Sequence, residues 1–187
     1  MQFLSNNLRF FRYLFLSLTL FILDFITKYL TKLKFPKQIG KSDRFETIEG
    51  ISDIAIIDPI LIYQRVDNGG IAFGIDSVGT FSYIFTPITI ILTSAIIIYL
   101  YKISKDNKML FPLSFSLILG GALGNLFDRL FYGKVVDFIG LFENIFPFTF
   151  NLADTFVTIG MIMLLFSDVF YKQQGKNAKQ QNQNISS

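Results

Sequence analysis

No cysteine and no histidine occurs anywhere in the 187 residues. The first absence excludes disulfides, thiol nucleophiles and zinc sites of the cysteine type. The second removes the imidazole that a Ser-His-Asp or Cys-His engine uses as its base, and histidine metal sites with it. Acid–base chemistry in such a chain falls to carboxylates. Charge is scarce as well: charged residues are 17% of the sequence and the formal net charge is +3. The small positive excess forms no basic stripe with interleaved aromatics, so nucleic acid is not an expected partner. Lysines scattered beside apolar runs suit a membrane surface better. What the chain has in abundance is hydrophobic residues, 51% by count with a mean hydropathy of +0.48. That exceeds an ordinary soluble domain and points to a membrane protein.

Four apolar runs predict transmembrane helices at about 13–30, 81–101, 109–127 and 152–170. Arg9 and Arg12 precede the first run as they would in a signal peptide. The run is too long for a signal-peptide core and no small-residue cleavage site follows it, so it reads as an uncleaved first span. Residues 31–80 form a polar insertion between the first two helices, punctuated by Pro36, Gly40, Gly50, Pro59, Gly69 and Gly70. Its β-branched stretches, Ile54–Ile57 and Ile60–Val66, predict a small sheet on the membrane surface that ends in the turn Asp67-Asn68-Gly69-Gly70. The tail from Lys172 is rich in Gln, Asn, Ser and Lys, lacks apolar periodicity, and reads as disordered over 172–187. The expected fold is therefore mainly α: a four-helix membrane bundle with a β-containing insertion, one domain over 1–171. Basic residues nearly balance across the two sides. The count alone does not choose a side; the short basic turn at 102–108 favours both termini in the cytoplasm and the insertion outside.

The stretch 120–154 is where the chain departs from simple hydrocarbon chemistry. Gly120, Gly121, Ala122 and Gly124 form a small-residue helix face, with Gly120 and Gly124 in the G-x-x-x-G spacing that admits a neighbouring helix. Asn125, Asp128, Arg129, Asp137, Asn151 and Asp154 follow within or beside membrane-like segments. Polar groups near hydrocarbon are expensive and mark function unless they are buried staples between helices. Asp24 and Lys28 sit one turn apart in the first helix, an i, i+4 pair able to neutralise itself.

The run G-x-x-x-G-N-x-x-D-R-x-x-x-G-x-V-x-D-F at Gly120–Phe138, followed by F-N-x-A-D at Phe150–Asp154, resembles the lipoprotein signal peptidase (signal peptidase II) family of membrane aspartic peptidases. Upstream, D-x-x-x-K at Asp24 and Lys28 and N-x-G-x-A-F at Asn68, Gly70, Ala72 and Phe73 extend the resemblance over residues 24–154. One departure is a spacing: Pro147 precedes Asn151 by one residue more than the family's usual Pro-x-Phe-Asn.

The resemblance implies that Asp137 and Asp154 are catalytic, and that Asn68, Gly70, Asn125, Arg129 and Asn151 line the site, with Asp24 and Lys28 in support. Asp128, Gly120 and Gly124 read as structural. Two carboxylates close together in low dielectric share a proton and can activate water without a metal or other cofactor. The implied substrates are lipid-modified prolipoproteins, cut before the lipidated cysteine, in a bacterial cytoplasmic (inner) membrane with the site near the outer face. The topology implied by the resemblance, together with the basic turn at 102–108, sets both termini in the cytoplasm and the insertion outside. Membrane lipids are the other expected partners, and no obligate protein partner is evident. Two other classes compete. A proton-coupled transporter or channel subunit would use the same carboxylates as a relay, but a relay wants them at different depths. A non-catalytic helical scaffold would use the glycine face and leave the Asn and Asp cluster unexplained.

Overall fold

The computed structural model describes residues 2–35, 53–57, 60–69, 80–105, 108–141 and 148–186. Helix α1 runs Gln2–Lys34, α2 Thr80–Ile103, α3 Leu110–Tyr132 and α4 Leu152–Ser186. Strands β1 (Asp53–Ile57), β2 (Leu61–Asn68), β3 (Val135–Leu141) and β4 (Phe148–Phe150) form one antiparallel sheet in the order β1-β2-β3-β4.

Helix α1 is inside-out by the standards of a soluble protein. Its buried residues include Ser17, Asp24, Lys28 and Thr31, while Phe11, Phe15, Ile22, Ile26, Leu30 and Leu33 are exposed. A polar stripe facing inward and an apolar surface facing outward is the arrangement that a hydrocarbon solvent selects. Among the described residues, three helices are long and apolar enough to cross a membrane, at Asn7–Lys34, Ile84–Ile103 and Leu110–Tyr132, and a shorter apolar stretch lies at Leu152–Ser167.

Close packing around α3 follows from its small residues. A Cβ at Gly120 would stand 2.7 Å from Leu20 Cβ and 3.0 Å from Ser17 O of α1. One at Gly121 would collide with the Ala153 carbonyl of α4, and one at Gly124 with the Asp24 carboxylate. The glycine face therefore receives two helices on adjacent sides. Ser17 Oγ seals the α1–α3 contact by donating to Ser116 O at 2.9 Å. Outside this seam, aromatic rings fill the groove, with Phe25 edge-on to Phe127 at 5.3 Å.

Several element boundaries differ from those expected. Helix α1 extends beyond 13–30 at both ends, because neither Gly nor Pro interrupts the chain before Pro36. Helix α3 continues past 127 to Tyr132 and stops at Gly133, whose φ of 70° gives the left-handed C-cap, its N–H donating to Arg129 O at 3.1 Å. The sheet is not confined to the insertion, since half of it comes from the α3–α4 connection. Asp137 accordingly lies in strand β3, paired with Val66 of β2. Helix α4 runs on to Ser186. Extending a helix that already exists fixes one residue per hydrogen bond, without the nucleation penalty, and Gln, Lys and Ala are adequate helix formers.

Candidate active site

The N-terminus of α4 is the organising feature. Asn151 is its N-cap: Oδ1 accepts the Asp154 N–H at 3.0 Å, while Asp154 Oδ2 accepts the Asn151 N–H at 3.2 Å. This is a reciprocal capping box, with Asn at the cap and Asp three residues on. Next in line, the Ala153 N–H is taken by a carboxylate from another helix, donating to Asp24 Oδ1 at 2.8 Å. An anion there satisfies an otherwise orphaned donor and complements the helix dipole.

Asn151 also reaches outward. Its Nδ2 donates to Asp137 Oδ1 at 2.7 Å and to Asn125 Oδ1 at 3.1 Å. The second oxygen of Asp137 accepts from Asn68 Nδ2 at 2.9 Å. Asn125 Nδ2 donates to Asp154 Oδ1 at 2.7 Å. Both carboxylates are thus joined through one asparagine, and three asparagines from β2, α3 and the α4 cap supply their side-chain donors. Antiparallel pairing of β2 with β3 sets Asn68 opposite Val135, which brings its amide within reach of Asp137.

Asp137 is 3% exposed. Burial pushes its carboxyl up to about 7, helped by the negative charge of Asp154. The bonds from Asn68 and Asn151 and the positive charge of Lys28 oppose that rise without cancelling it. Asp137 therefore holds a proton well above the usual carboxylate range, as a general acid at neutral pH must.

Behind the asparagines lies a buried ionic cluster. Asp24 Oδ2 is 2.8 Å from Lys28 Nζ, an ion pair off the hydrogen-bonding axis. Asp128 Oδ2 is 3.0 Å from the same ammonium group, and Asp128 Oδ1 is 3.7 Å from Lys32 Nζ. Two carboxylates face two ammonium groups, which is the compensation that buried charge requires. Asp128 Oδ2 also accepts the Val136 N–H at 3.2 Å, tying α3 to the strand that carries Asp137. Arg129 directs its charge first at Asp154, then at Asp137 and Asp128.

The structure thus gathers Asn68, Asn125, Asn151, Asp137 and Asp154 into one hydrogen-bonded network, with Asp24, Lys28 and Asp128 behind it and Arg129 beside it. Gly70, Ala72 and Phe73 lie outside the described residues. Asp24 does more than neutralise Lys28, because it caps α4. Lys32 was missed by the sequence reading; it packs 3.4 Å over the Tyr132 ring as well as facing Asp128. The signal for it was present in the i, i+4 ladder Asp24, Lys28, Lys32. Among the described residues, no three His, Cys, Asp or Glu side chains converge as metal ligands.

Comparison with solved structures gives the class first. The chain is similar to a bacterial membrane enzyme with a TM-score of 0.64 and 27% identity, over 87% of this chain and 90% of that one. The family model described as signal peptidase (SPase) II matches residues 16–170. A lipoprotein signal peptidase of Pelagibacter ubique is 36% identical over 176 residues, covering 93% of this chain and 97% of that protein. One from Acinetobacter baylyi is 42% identical over 120 residues, 62% of this chain and 66% of that protein. The chain belongs to the signal peptidase II family and is a peptidase.

Proposed function

We propose that this chain removes the signal peptide of prolipoproteins by hydrolysing the bond before a lipid-modified cysteine, with Asp137 and Asp154 as the catalytic pair. The observation that carries the reading is Asn151, which holds both carboxylates at the start of α4. One member of the pair, ionised, takes a proton from water. The other, protonated, donates to the scissile carbonyl oxygen as the tetrahedral intermediate forms. The proton taken from water then passes to the departing amide nitrogen, and the C–N bond breaks. Arg129 offers a planar fork of donors for substrate carbonyls.

The apolar exterior of the helices supports a substrate arriving from the bilayer. Four spans, the three long helices and the apolar start of α4, would put both termini on the cytoplasmic side and the sheet and carboxylates at the outer face of the inner membrane. The transporter alternative loses its footing, because Asp137 and Asp154 share one asparagine rather than lying along a path across the membrane.

The test is cleavage of a diacylglyceryl-modified signal-peptide substrate by purified Asp137→Asn and Asp154→Asn proteins, with wild type also assayed in EDTA and 1,10-phenanthroline. Each variant should lose about 10²- to 10⁴-fold in kcat or more, and chelation should leave the wild type active. Near-normal turnover by either variant sinks the pair. Loss of wild-type activity to chelators, restored by a divalent ion, would make the carboxylates metal ligands.

A further inference from the structure

Lys28 is 2% exposed, and its ammonium group has donors only. Its aligned hydrogen bond runs to Asn125 Oδ1 at 3.0 Å. An asparagine amide presents a carbonyl on one side and an NH2 on the other, and only the carbonyl can face an ammonium group. Asn125 Oδ1 also accepts from Asn151 Nδ2, which leaves Asn125 Nδ2 to donate to Asp154 Oδ1. Turning this amide over would set NH2 against the ammonium, NH2 against the Asn151 amide, and carbonyl against the Asp154 carboxylate. All three contacts would become repulsive, so a single orientation is allowed.

Asp154 therefore meets a fixed amide donor at Oδ1 and a backbone donor at Oδ2, which together set the orientation of its carboxylate. Asp137 receives side-chain amides, from Asn68 and Asn151, and its burial favours the neutral form. The other charges nearby are already committed. Asp24 and Asp128 face Lys28 and Lys32 from α1 and α3, and Arg65 pairs with Asp67 on β2 at 2.9 Å. Arg129 acts on both members of the pair, Asp154 first.

We infer that Lys28 is a positioning residue for the reaction: by locking the amide of Asn125 it fixes the donor that orients Asp154, and with it the geometry of the carboxylate pair. This rests on the catalytic pair proposed above, and it names the residue that orients one member of it.

The test is the charge-balanced double variant Lys28→Met/Asp24→Asn. It leaves Asp128 facing Lys32 and keeps an oxygen at position 24 for the Ala153 N–H. In the purified protein, kcat and KM are measured from pH 5 to 9 on the diacylglyceryl-modified peptide, alongside thermal unfolding. KM should stay within about twofold, and kcat should fall about 10–100-fold, the range typical of partners that orient a reacting group. The acid limb of kcat should move up by about one pH unit, as expected when one hydrogen bond to the ionised pair is no longer fixed. Wild-type kcat, or an equal loss at every pH with the acid limb unmoved, overturns the assignment. If the double variant does not fold, Asn125→Leu carries the test. It must show the same movement of the acid limb, and an unmoved limb refutes the proposal. Failure of the pair itself is read separately, from turnover in Asp137→Asn or Asp154→Asn.

Discussion

Replacing Asp137 by Asn should stabilise the folded protein at alkaline pH while abolishing turnover. The carboxyl group titrates near 7 in the native state, against an ordinary value of 3.8. Between those two values the folded state binds more protons than the unfolded state, so stability falls as pH rises through that window. About three pH units at 1.36 kcal/mol each amount to about 4 kcal/mol of destabilisation once the group is ionised. Asparagine does not titrate and escapes this penalty. It gives some back, since Asp137 accepts from both Asn68 and Asn151. One of those contacts becomes donor against donor unless the Asn68 amide turns over, at a cost of about 1 kcal/mol. The net gain at pH 8.5 is about 3 kcal/mol, or a rise of about 6–12 °C in apparent Tm for a chain of this size. At pH 4 the gain should vanish. The assay is thermal unfolding of both proteins in the same detergent at half-unit steps from pH 4 to 9. Parallel Tm curves for variant and wild type would refute the reasoning, because they would show that Asp137 does not titrate inside the window.

Asp128→Asn should act on stability rather than chemistry. It removes one of two carboxylates facing buried Lys28 and the one facing half-buried Lys32, and a broken buried pair costs about 3–5 kcal/mol; a variant of wild-type Tm but without activity would move Asp128 into the catalytic machinery. Gly121→Ala should lower Tm and kcat together, because the new methyl meets the Ala153 carbonyl and stands 2.8 Å from Val157 Cγ2. Overpacking of this kind costs about 1–3 kcal/mol, and it displaces the helix end that carries Asp154. Unchanged Tm and turnover would mean that α3 and α4 are less tightly joined than drawn.

The motifs made the members of the site legible, because each amide and carboxylate stands out against apolar neighbours. Its geometry was less so. Val135-Val136-Asp137-Phe138-Ile139 is a β-branched and aromatic run that fits a strand, but it is short and follows directly on a helix. The partner strand lies in the insertion far upstream, and no local pattern announces a pairing between distant segments. The capping box was visible as Asn151-x-x-Asp154 but was overshadowed by the chemistry of the same residues. Asp24 as the cap of another helix could not be read from sequence, because its partner is a backbone N–H in α4. The apolar run marks the end of α3 at 127, whereas the physical stop is Gly133, the residue that tolerates positive φ.

The bond from Asp24 to the Ala153 N–H joins residues 129 positions apart. During synthesis, α1 must wait with its buried carboxylate facing only Lys28 until α4 emerges and docks. Up to that moment the chain holds Asp137 but not Asp154, and the donor of Asn125 has no acceptor. Docking of α4 therefore completes the helix cap and the carboxylate pair in one event. With the pair proposed above as the engine, a partly made chain is inert, and hydrolytic power arrives only when the bundle is closed.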